Sequence, residues 1–205
     1  YGTKYSLSIG IMSVSIGLIF RTTMGVLSAY YGGLVDTIIM RFIDALLAFP
    51  GILLALVVIA VLGPGLFNVM LAVGISTVPE YARLARGKVL SVMQLEYIEA
   101  IHSIGGSNIR VILKHILPNI SAPITILATL QVGNAILVGS GLSFLGMGAQ
   151  PPTPEWGLMT AEGRSYMSQA WWISTFPGIA ILITVISINQ FGDGLREAID
   201  PYLKE

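Results

Sequence analysis

The chain has 205 residues, of which 54% are hydrophobic and only 11% are charged, and its mean hydropathy is +0.79. Soluble globular domains carry about a quarter charged residues, so this composition excludes an ordinary soluble domain and indicates a polytopic membrane protein. The 11 basic and 11 acidic residues cancel and cysteine is absent, which leaves no bulk charge to favour nucleic acid and excludes disulfide bonds, thiolate metal sites and cysteine nucleophiles.

Five apolar stretches approach the roughly 20 residues that a membrane-spanning helix needs. They lie at about 5–29, 44–62, 66–82, 120–145 and 173–192. The third stretch is the shortest, and Pro50, Pro79 and Pro177 lie where a proline can break a span. The sequence therefore predicts an all-α, polytopic transmembrane helical bundle with five spans, forming one domain over residues 1–205.

The start of the chain carries no clear targeting signal. The first apolar stretch lacks the basic beginning and the cleavage site of a signal peptide, and four more apolar stretches follow. Because the sequence begins at Tyr1 rather than at methionine, we expect it to be a fragment that lacks an earlier segment.

Lysine and arginine predict the orientation, because they are enriched in cytoplasmic loops. Placing the polar stretch 80–118 in the cytoplasm leaves Lys4 and Arg164 outside and Arg21 within a span. The other basic residues then lie inside: Arg41, Arg83, Arg86, Lys88, Arg110, Lys114, Arg196 and Lys204. We expect the N-terminus of this chain outside and its C-terminus in the cytoplasm. The outer segment, about 146–172, holds all three tryptophans, whose side chains favour the membrane interface.

Residues 96–118 have the pattern of a helix, a glycine hinge and a second helix. The apolar residues at 97, 98, 101 and 104 share one helical face, and Gly105 and Gly106 end that helix. Apolar residues then recur at helical spacing from 109 to 116, and Pro118 predicts a break or bend before the next span. Such a segment lies on the membrane surface, packs under its own bundle or docks into a partner's groove, and the pattern alone does not select among these.

Charged residues in or near the spans are functional candidates, because burying charge in lipid is costly. The set is Arg21, Asp36, Arg41, Asp44 and Asp193. All but Arg21 lie near the predicted inner boundary, where pairing or interfacial solvation explains them better than function. Asp44 follows Arg41 by three residues, which is the spacing of a helical pair. Arg21 lies deeper and is harder to explain in this way, although a long arginine side chain can reach the interface from within a span. A stripe of small residues, Ala135, Gly139 and Ser143, predicts helix packing rather than a substrate site.

The sequence lacks the motifs of an enzyme. It has no Gly-x4-Gly-Lys-Ser/Thr phosphate loop, no Gly-x-Ser-x-Gly elbow and no His-Glu-x-x-His helix. Glu99 and His102 have the Glu-x-x-His spacing of di-iron bundles, but those sites need a second copy and further carboxylates. We therefore expect no catalytic residue, no metal site and no cofactor in this chain. Any ATP hydrolysis is expected in a separate protein.

Residues 99–118 resemble the EAA motif of ABC importer permeases, which reads Glu-Ala-Ala-x3-Gly-x9-Ile-x-Leu-Pro. Ile101 stands at the second alanine and His115 at the isoleucine. The residues that carry the resemblance are Glu99, Ala100, Ile101, Gly105, Leu117 and Pro118. Stretches 30–50, 143–157 and 177–201 resemble the dipeptide and oligopeptide permeases of the same family in the same order. The resemblance covers essentially the whole chain, and the family's six helices include one before the equivalent of Tyr1.

The resemblance implies a function. In this family two permease subunits form the translocation pathway, two cytoplasmic ATPase subunits hydrolyse ATP, and an extracytoplasmic binding protein delivers the substrate. It implies that the six motif residues dock on the ATPase and couple its movement to the spans, and that a second, homologous permease completes the pathway in the cell's inner membrane. The substrate is expected to be a di- or oligopeptide, or nickel. Peptides are favoured over nickel because the chain shows no obvious metal-binding pathway. It has no cysteine, and its two histidines, His102 and His115, both lie on the predicted cytoplasmic side.

Two other classes remain as alternatives. The first is an ATP-independent secondary transporter or channel. Inverted repeats and broken midplane helices would favour this class, but the sequence shows no convincing repeat. A membrane scaffold without a pathway is the third class. The residues that bind the substrate are not identified by the sequence, and neither is the role of Arg21 or His115.

Overall fold

The computed structural model describes residues 1–199, which form ten α-helices, so the predicted all-α class is confirmed. The motif residues Asp200 and Pro201, and the basic residue Lys204, lie outside the described residues. The helices are α1 Gly2–Tyr31, α2 Gly33–Leu47, α3 Gly51–Leu62, α4 Leu66–Ser76, α5 Val78–Met93, α6 Glu96–Ser103, α7 Asn108–Val111, α8 Leu117–Phe144, α9 Trp156–Gly163 and α10 Trp172–Ile199.

Helix α1 lies at the centre and packs against α2, α4, α5, α8 and α9. Small residues at helical spacing make up much of its buried face: Ser6, Gly10, Ser13, Gly17, Gly25 and Ser28. A Cβ atom added at Gly25 would lie 2.7 Å from the Cβ of Ala85, so α1 and α5 touch through their backbones. Such close approach gains van der Waals contact, which drives helix association where neighbouring lipid is equally apolar.

The small-residue stripe of α8 packs in the same way. Ala135, Gly139 and Ser143 are all buried, and a Cβ atom added at Gly139 would lie 2.4 Å from the Cγ2 of Ile9 in α1. This face of α8 is therefore a helix-packing surface, as the sequence predicts, and the missing Cβ of Gly139 makes room for the branched side chain of α1.

The three prolines behave differently from one another. Pro50 separates α2 from α3, and the two helices meet at an angle of 95°. The predicted span 44–62 is therefore broken at Pro50, one of the three prolines at which the sequence allows a break, because proline lacks the N–H that a helix interior needs and disfavours helical geometry at Phe49. Pro79 lies in the first turn of α5, after a turn at Thr77. Pro177 lies inside α10 without ending it.

Three helical segments are long and apolar enough to cross a membrane by themselves. They are Gly2–Tyr31, Asn108–Phe144 and Trp172–Ala198, and the bent pair α2 and α3 makes a fourth if it counts as one span. The remaining predicted crossing corresponds to α4, which has only 11 residues. The structure thus agrees with a membrane bundle, while the count of five crossings stays a prediction.

Two apolar clusters stabilise the bundle. The first joins α1, α3, α4 and α8 and includes Ile9, Ile59, Val69, Val73 and Leu142. The second joins α1 and α5 to the hinge region and consists of Val26, Ala29, Val89, Ile98, Val111, Ile116 and Ile120. The second cluster positions residues 96–118, because three of its members, Ile98, Val111 and Ile116, come from that segment.

Candidate functional site

Helix α6 begins the segment that the sequence singles out, residues 96–118, and its ends follow local rules. Glu96 and Glu99 lie in its first turn and His102 in its last, which suits the helix dipole. The N–H of Gly106 donates to the carbonyl of Ile101, and the N–H of Gly105 donates to that of His102. These two bonds form a Schellman motif, which requires the left-handed conformation that Gly105 adopts, with φ of +83°.

One side of α6 is attached to the bundle. Ile98 is 2% exposed and belongs to the second apolar cluster, and Ile101 packs against that cluster from a half-buried position. Tyr97 and Ile104 were predicted on the same face, but both are exposed, Ile104 to 85%. Ile104 is the residue at which α6 ends and the chain turns, so helical periodicity no longer places its side chain with the others.

The other side of α6 is free within residues 1–199. Glu99, Ala100 and Gly105 are exposed, and the neighbouring apolar side chains Ile104, Ile109 and Leu113 are exposed as well. The segment thus packs under its own bundle through one face and presents a mixed acidic and apolar face outward. Of the three alternatives that the pattern leaves open, packing under its own bundle is observed. The outward face is also available for docking into a partner's groove.

The second helix of the segment runs without interruption into the following span. Asn108–Val111, a π-helical turn at Ile112–Ile116 and α8 form one helix of 37 residues. The helix therefore does not break at Pro118, while a bend there, the other outcome that the sequence predicts, stays a prediction. Pro118 has no N–H and its ring crowds the carbonyl four residues earlier, and the π-helical turn that directly precedes it supplies a local rearrangement of the hydrogen bonds instead of a helix end. Leu117 packs against the second cluster, whereas Pro118 is exposed.

Polar contacts connect the segment 96–118 to the helices beside it. Asn119 donates from Nδ2 to the Tyr97 hydroxyl at 3.0 Å and to the His115 carbonyl at 2.6 Å, and the His115 ring lies 6.1 Å from that of Tyr97. Tyr30 of α1 donates to Asn108 Oδ1 at 3.0 Å. His115 is thus part of the contact between α6 and the long helix.

Two ion pairs join α2 to α5. Arg86 donates from Nε and Nη2 to the two carboxylate oxygens of Asp36, at 2.6 and 2.5 Å, and Ser28 also donates to Asp36. These bonds raise the pKa of Arg86 above its usual value. Asp44 pairs with Arg83 at 2.5 Å, so the predicted pairing with Arg41 is wrong. Helical spacing identifies neighbours within α2, but the tertiary packing brings the observed partner of Asp44 from α5.

Arg21 lies in the interior of the bundle and is 2% exposed. Its guanidinium carbon lies 4.4 Å from the centre of the Tyr81 ring, a cation–π contact. The Tyr81 hydroxyl donates to Gln131 Oε1 at 2.5 Å, so α1, α5 and α8 meet at this point. Sequence position shows that Arg21 is deep in a span, but not that the other helices bury it.

Glu155 is a functional candidate that sequence reasoning missed. It is 0% exposed and caps α9 by accepting hydrogen bonds from the N–H groups of Gly157 and Leu158, at 3.0 and 2.9 Å. Its Oε1 also accepts from the hydroxyls of Ser6 in α1 and Ser140 in α8, at 3.0 and 3.1 Å. One carboxylate thus fastens α9 to two long helices. An acidic residue directly before Trp156-Gly157 is the only local signal for this N-cap.

Among residues 1–199, no three histidine or acidic side chains come together in a way that holds a metal ion. Glu99 and His102 lie on the short α6 without a third donor. The site residues that the structure brings together are the motif residues Ile101 and Leu117, which contact the same apolar cluster.

Comparison with known proteins identifies the family. The family described as "binding-protein-dependent transport system inner membrane component" matches residues 21–205. The chain belongs to this family. It is therefore a membrane permease of a transport system, of the ABC importer class that the sequence motifs indicate, and the family does not favour the alternative of an ATP-independent transporter or channel.

Individual relatives of this permease are similar over almost its whole length. The glutathione transport system permease protein GsiD of Pectobacterium atrosepticum is 48% identical over 203 residues, which are 99% of this chain and 67% of GsiD. The dipeptide transport system permease protein DppC of Alkalihalophilus pseudofirmus is 47% identical over 204 residues, 100% of this chain and 67% of DppC. The di/tripeptide permease DppC of Pseudomonas aeruginosa is 44% identical. The permease chain thus spans about two thirds of the length of these relatives.

Solved structures support the fold of the permease. An inward-facing structure of the MetNI methionine ABC transporter superimposes with a TM-score of 0.75, covering 97% of this chain and 94% of that one, at 19% sequence identity. An amino acid ABC transporter crystallised with histidines superimposes with a TM-score of 0.72 at 12% identity. At these low sequence identities, the likeness shows that the arrangement of the helices is shared and nothing more.

Proposed function

We propose that this permease forms half of the translocation pathway of an importer for di- or oligopeptides. A homologous second permease completes the pathway, an extracytoplasmic binding protein delivers the substrate, and two cytoplasmic ATPases drive the cycle. The 205 residues act as one membrane domain in this assembly. The observation that carries the peptide assignment is the 44–48% identity to permeases named for glutathione, dipeptide and di/tripeptide transport, over almost the whole chain.

Residues 96–118 are proposed as the coupling site, through Glu99, Ala100, Ile101, Gly105, Leu117 and Pro118. The outward face of α6 supplies a carboxylate at Glu99 and a small side chain at Ala100 that permits close approach. Exposed single charges contribute little, about 0–1 kcal/mol, so most of the docking free energy is expected from Ile104, Ile109 and Leu113. Ile98 and Ile101 transmit the movement, because they join α6 to the cluster on α1 and α5.

The peptide-import function is tested by uptake into proteoliposomes that contain both permeases and both ATPases. With the binding protein present, we expect uptake of a labelled dipeptide that requires ATP and stops when the ATPase phosphate loop is inactivated. Uptake that continues without ATP and follows an ion gradient would contradict the proposal. Absence of peptide uptake with retained nickel uptake would replace the substrate class but keep the transport mechanism.

The proposed orientation places 96–118 in the cytoplasm and 146–172 outside. Since the chain has no cysteine, single exposed serines are replaced, Ser103→Cys in α6 and Ser168→Cys before α10. An impermeant maleimide is expected to label Ser168→Cys in spheroplasts and Ser103→Cys only in inverted vesicles, because each exposed thiol reacts from its own side. Labelling of Ser103→Cys in intact spheroplasts would exclude contact of α6 with a cytoplasmic ATPase.

A further inference from the structure

Arg21 is the exception in the small-residue face of α1. The buried positions on either side of it along this face are Gly17 and Gly25, where glycine lets α4 and α5 approach. An arginine at such a position fills the space between helices and carries a charge into an apolar interior. Ionisable residues within spans are costly to bury and usually have a binding or transport role.

The partners of Arg21 leave part of its hydrogen-bonding capacity unused. Tyr81 offers the face of its ring, and its hydroxyl is already committed to Gln131. Within residues 1–199, neither terminal nitrogen of Arg21 has a hydrogen-bond partner, and the same holds for the buried Thr22 hydroxyl beside it. An unpaired buried donor is unfavourable, and more so when it is charged. Together these groups form a set of donors without an acceptor.

Two spaces, a small cavity and a larger groove, lie beside these donors. A cavity of about 10 Å³ lies between Arg21, Thr22 and Tyr81 and the side chains of α5 and α8. A groove of about 490 Å³ runs between α1 and α8, and Thr22 and Ile124 line both spaces. The groove is apolar except for hydroxyls: Thr22, Thr23, Ser121 and Thr125. An apolar groove and a small cavity lined by Arg21 thus lie side by side, with Thr22 and Ile124 between them.

We propose that Arg21 and Thr22 bind the terminal carboxylate of the transported peptide, while an apolar side chain of the peptide lies in the groove. The proposal rests on the proposed peptide-import function. A carboxylate oxygen accepts charge-assisted hydrogen bonds from a guanidinium, and a cavity that admits about one water-sized atom accepts one carboxylate oxygen more readily than a phosphate. Tyr81 contacts the guanidinium through the face of its ring, and this contact does not use the N–H groups of the terminal nitrogens.

The test measures binding directly in the assembled transporter, without the binding protein. The probe is 4-methylpentanoate, which has a carboxylate and the carbon skeleton of a leucine side chain, and 4-methylpentanamide is its uncharged counterpart. We expect the carboxylate, but not the amide, to raise the unfolding temperature of the complex, since a ligand of the folded state stabilises it. Equal shifts with both compounds would overturn the proposal.

Two variants separate the site from general charge effects. Arg21→Gln is expected to weaken the carboxylate affinity by about tenfold or more, the loss typical of a charged hydrogen-bond pair. Arg41→Gln removes an exposed arginine of α2 and is expected to bind like the wild type. Unchanged carboxylate binding in Arg21→Gln would overturn the proposal. The unfolding temperature of Arg21→Gln without ligand is expected to equal or exceed that of the wild type, because a buried unpaired charge is removed; a clear fall would make Arg21 a structural residue and count against a binding role.

Competition identifies the source of the carboxylate. Leucyl-leucine is expected to displace 4-methylpentanoate, whereas displacement by oleate alone would assign the groove to a fatty acid from the membrane and overturn the peptide assignment. The outcome is independent of the uptake assay. Failed uptake with intact, Arg21-dependent displacement by leucyl-leucine would count against the proposed function, and normal uptake without carboxylate binding would count against this site.

Discussion

Replacing Gly105 with valine is expected to abolish most of the substrate-stimulated ATPase activity of the assembled transporter. Gly105 adopts φ of +83°, a region that β-branched residues avoid at a cost of about 1–3 kcal/mol. Relief of that strain requires loss of the Schellman bonds from Gly105 and Gly106 to the end of α6. The angle between α6 and the long helix then changes. A free-energy cost of this size lowers the population of the conformation that couples ATP hydrolysis to the spans by about tenfold.

The structure assigns this effect to backbone conformation rather than to a clash. A Cβ atom added at Gly105 has no atom of another residue within 4 Å, apart from its chain neighbours. Gly105→Asn is therefore the matched control, because asparagine tolerates the left-handed conformation and adds a side chain of similar size. We expect Gly105→Asn to retain most of the stimulated activity, with basal ATPase activity similar in both variants. Equal and normal stimulation in both would remove Gly105 from the proposed coupling mechanism.

Much of the segment 96–118 can be predicted from the sequence, because its helix end and its apolar face depend on residues that are close together in the chain. The positions of Gly105 and Gly106 predict the end of α6, and the apolar spacing predicts that Ile98 and Ile101 face one way. The long apolar stretches predict α1, α8 and α10 for the same reason, since chain length and composition suffice to form a span. Local pattern fails at the ends of elements, where Ile104 leaves the predicted face and Pro118 is absorbed into a continuous helix.

Contacts between distant parts of the chain could not be predicted in this way. Asp44 has a helical neighbour at Arg41, yet it pairs with Arg83, which lies 39 residues away. Glu155 bonds to Ser6 across 149 residues, so no spacing rule connects them. The burial of Arg21 depends on three helices meeting at one level. Each of these features follows from tertiary packing, which a single sequence reports only through residue types such as serine and glycine on a buried face.

Replacing Glu155 with alanine is expected to destabilise the permease by about 2–4 kcal/mol, because it removes an N-cap and leaves two buried serine hydroxyls without their acceptor. For a chain of this size, that free energy corresponds to a fall of roughly 4–16 °C in the unfolding temperature. The loss is expected to be local at first, since the carboxylate joins α9 to Ser6 of α1 and Ser140 of α8. A Cβ atom at the next residue but one, Gly157, would lie 2.1 Å from the Ser140 carbonyl oxygen, so α9 already sits tightly against α8.

Two matched substitutions separate hydrogen bonding from charge and size. Glu155→Gln keeps the shape of the side chain and the three hydrogen bonds that Oε1 accepts, from Ser6, Ser140 and Gly157. Its amide nitrogen at the position of Oε2 cannot accept from the N–H of Leu158, so we expect a smaller destabilisation than that of alanine, about 1–2 kcal/mol. Glu162→Gln, at an exposed position of the same α9, is expected to leave the unfolding temperature within about 1–2 °C, the effect of an ordinary surface substitution. A neutral Glu155→Gln variant would contradict the assigned network.

Hydrogen exchange locates the effect within the structure. In Glu155→Ala, the amides of residues 156–163 are expected to lose protection, whereas those of 96–103 keep it, because α6 is held by the separate cluster around Ile98 and Val111. Local opening of α9 would free residues 156–163 from α1 and α8 while α6 stays attached to the bundle. If protection falls equally in both regions, Glu155 contributes to the stability of the whole bundle and does not act as a local fastening of α9.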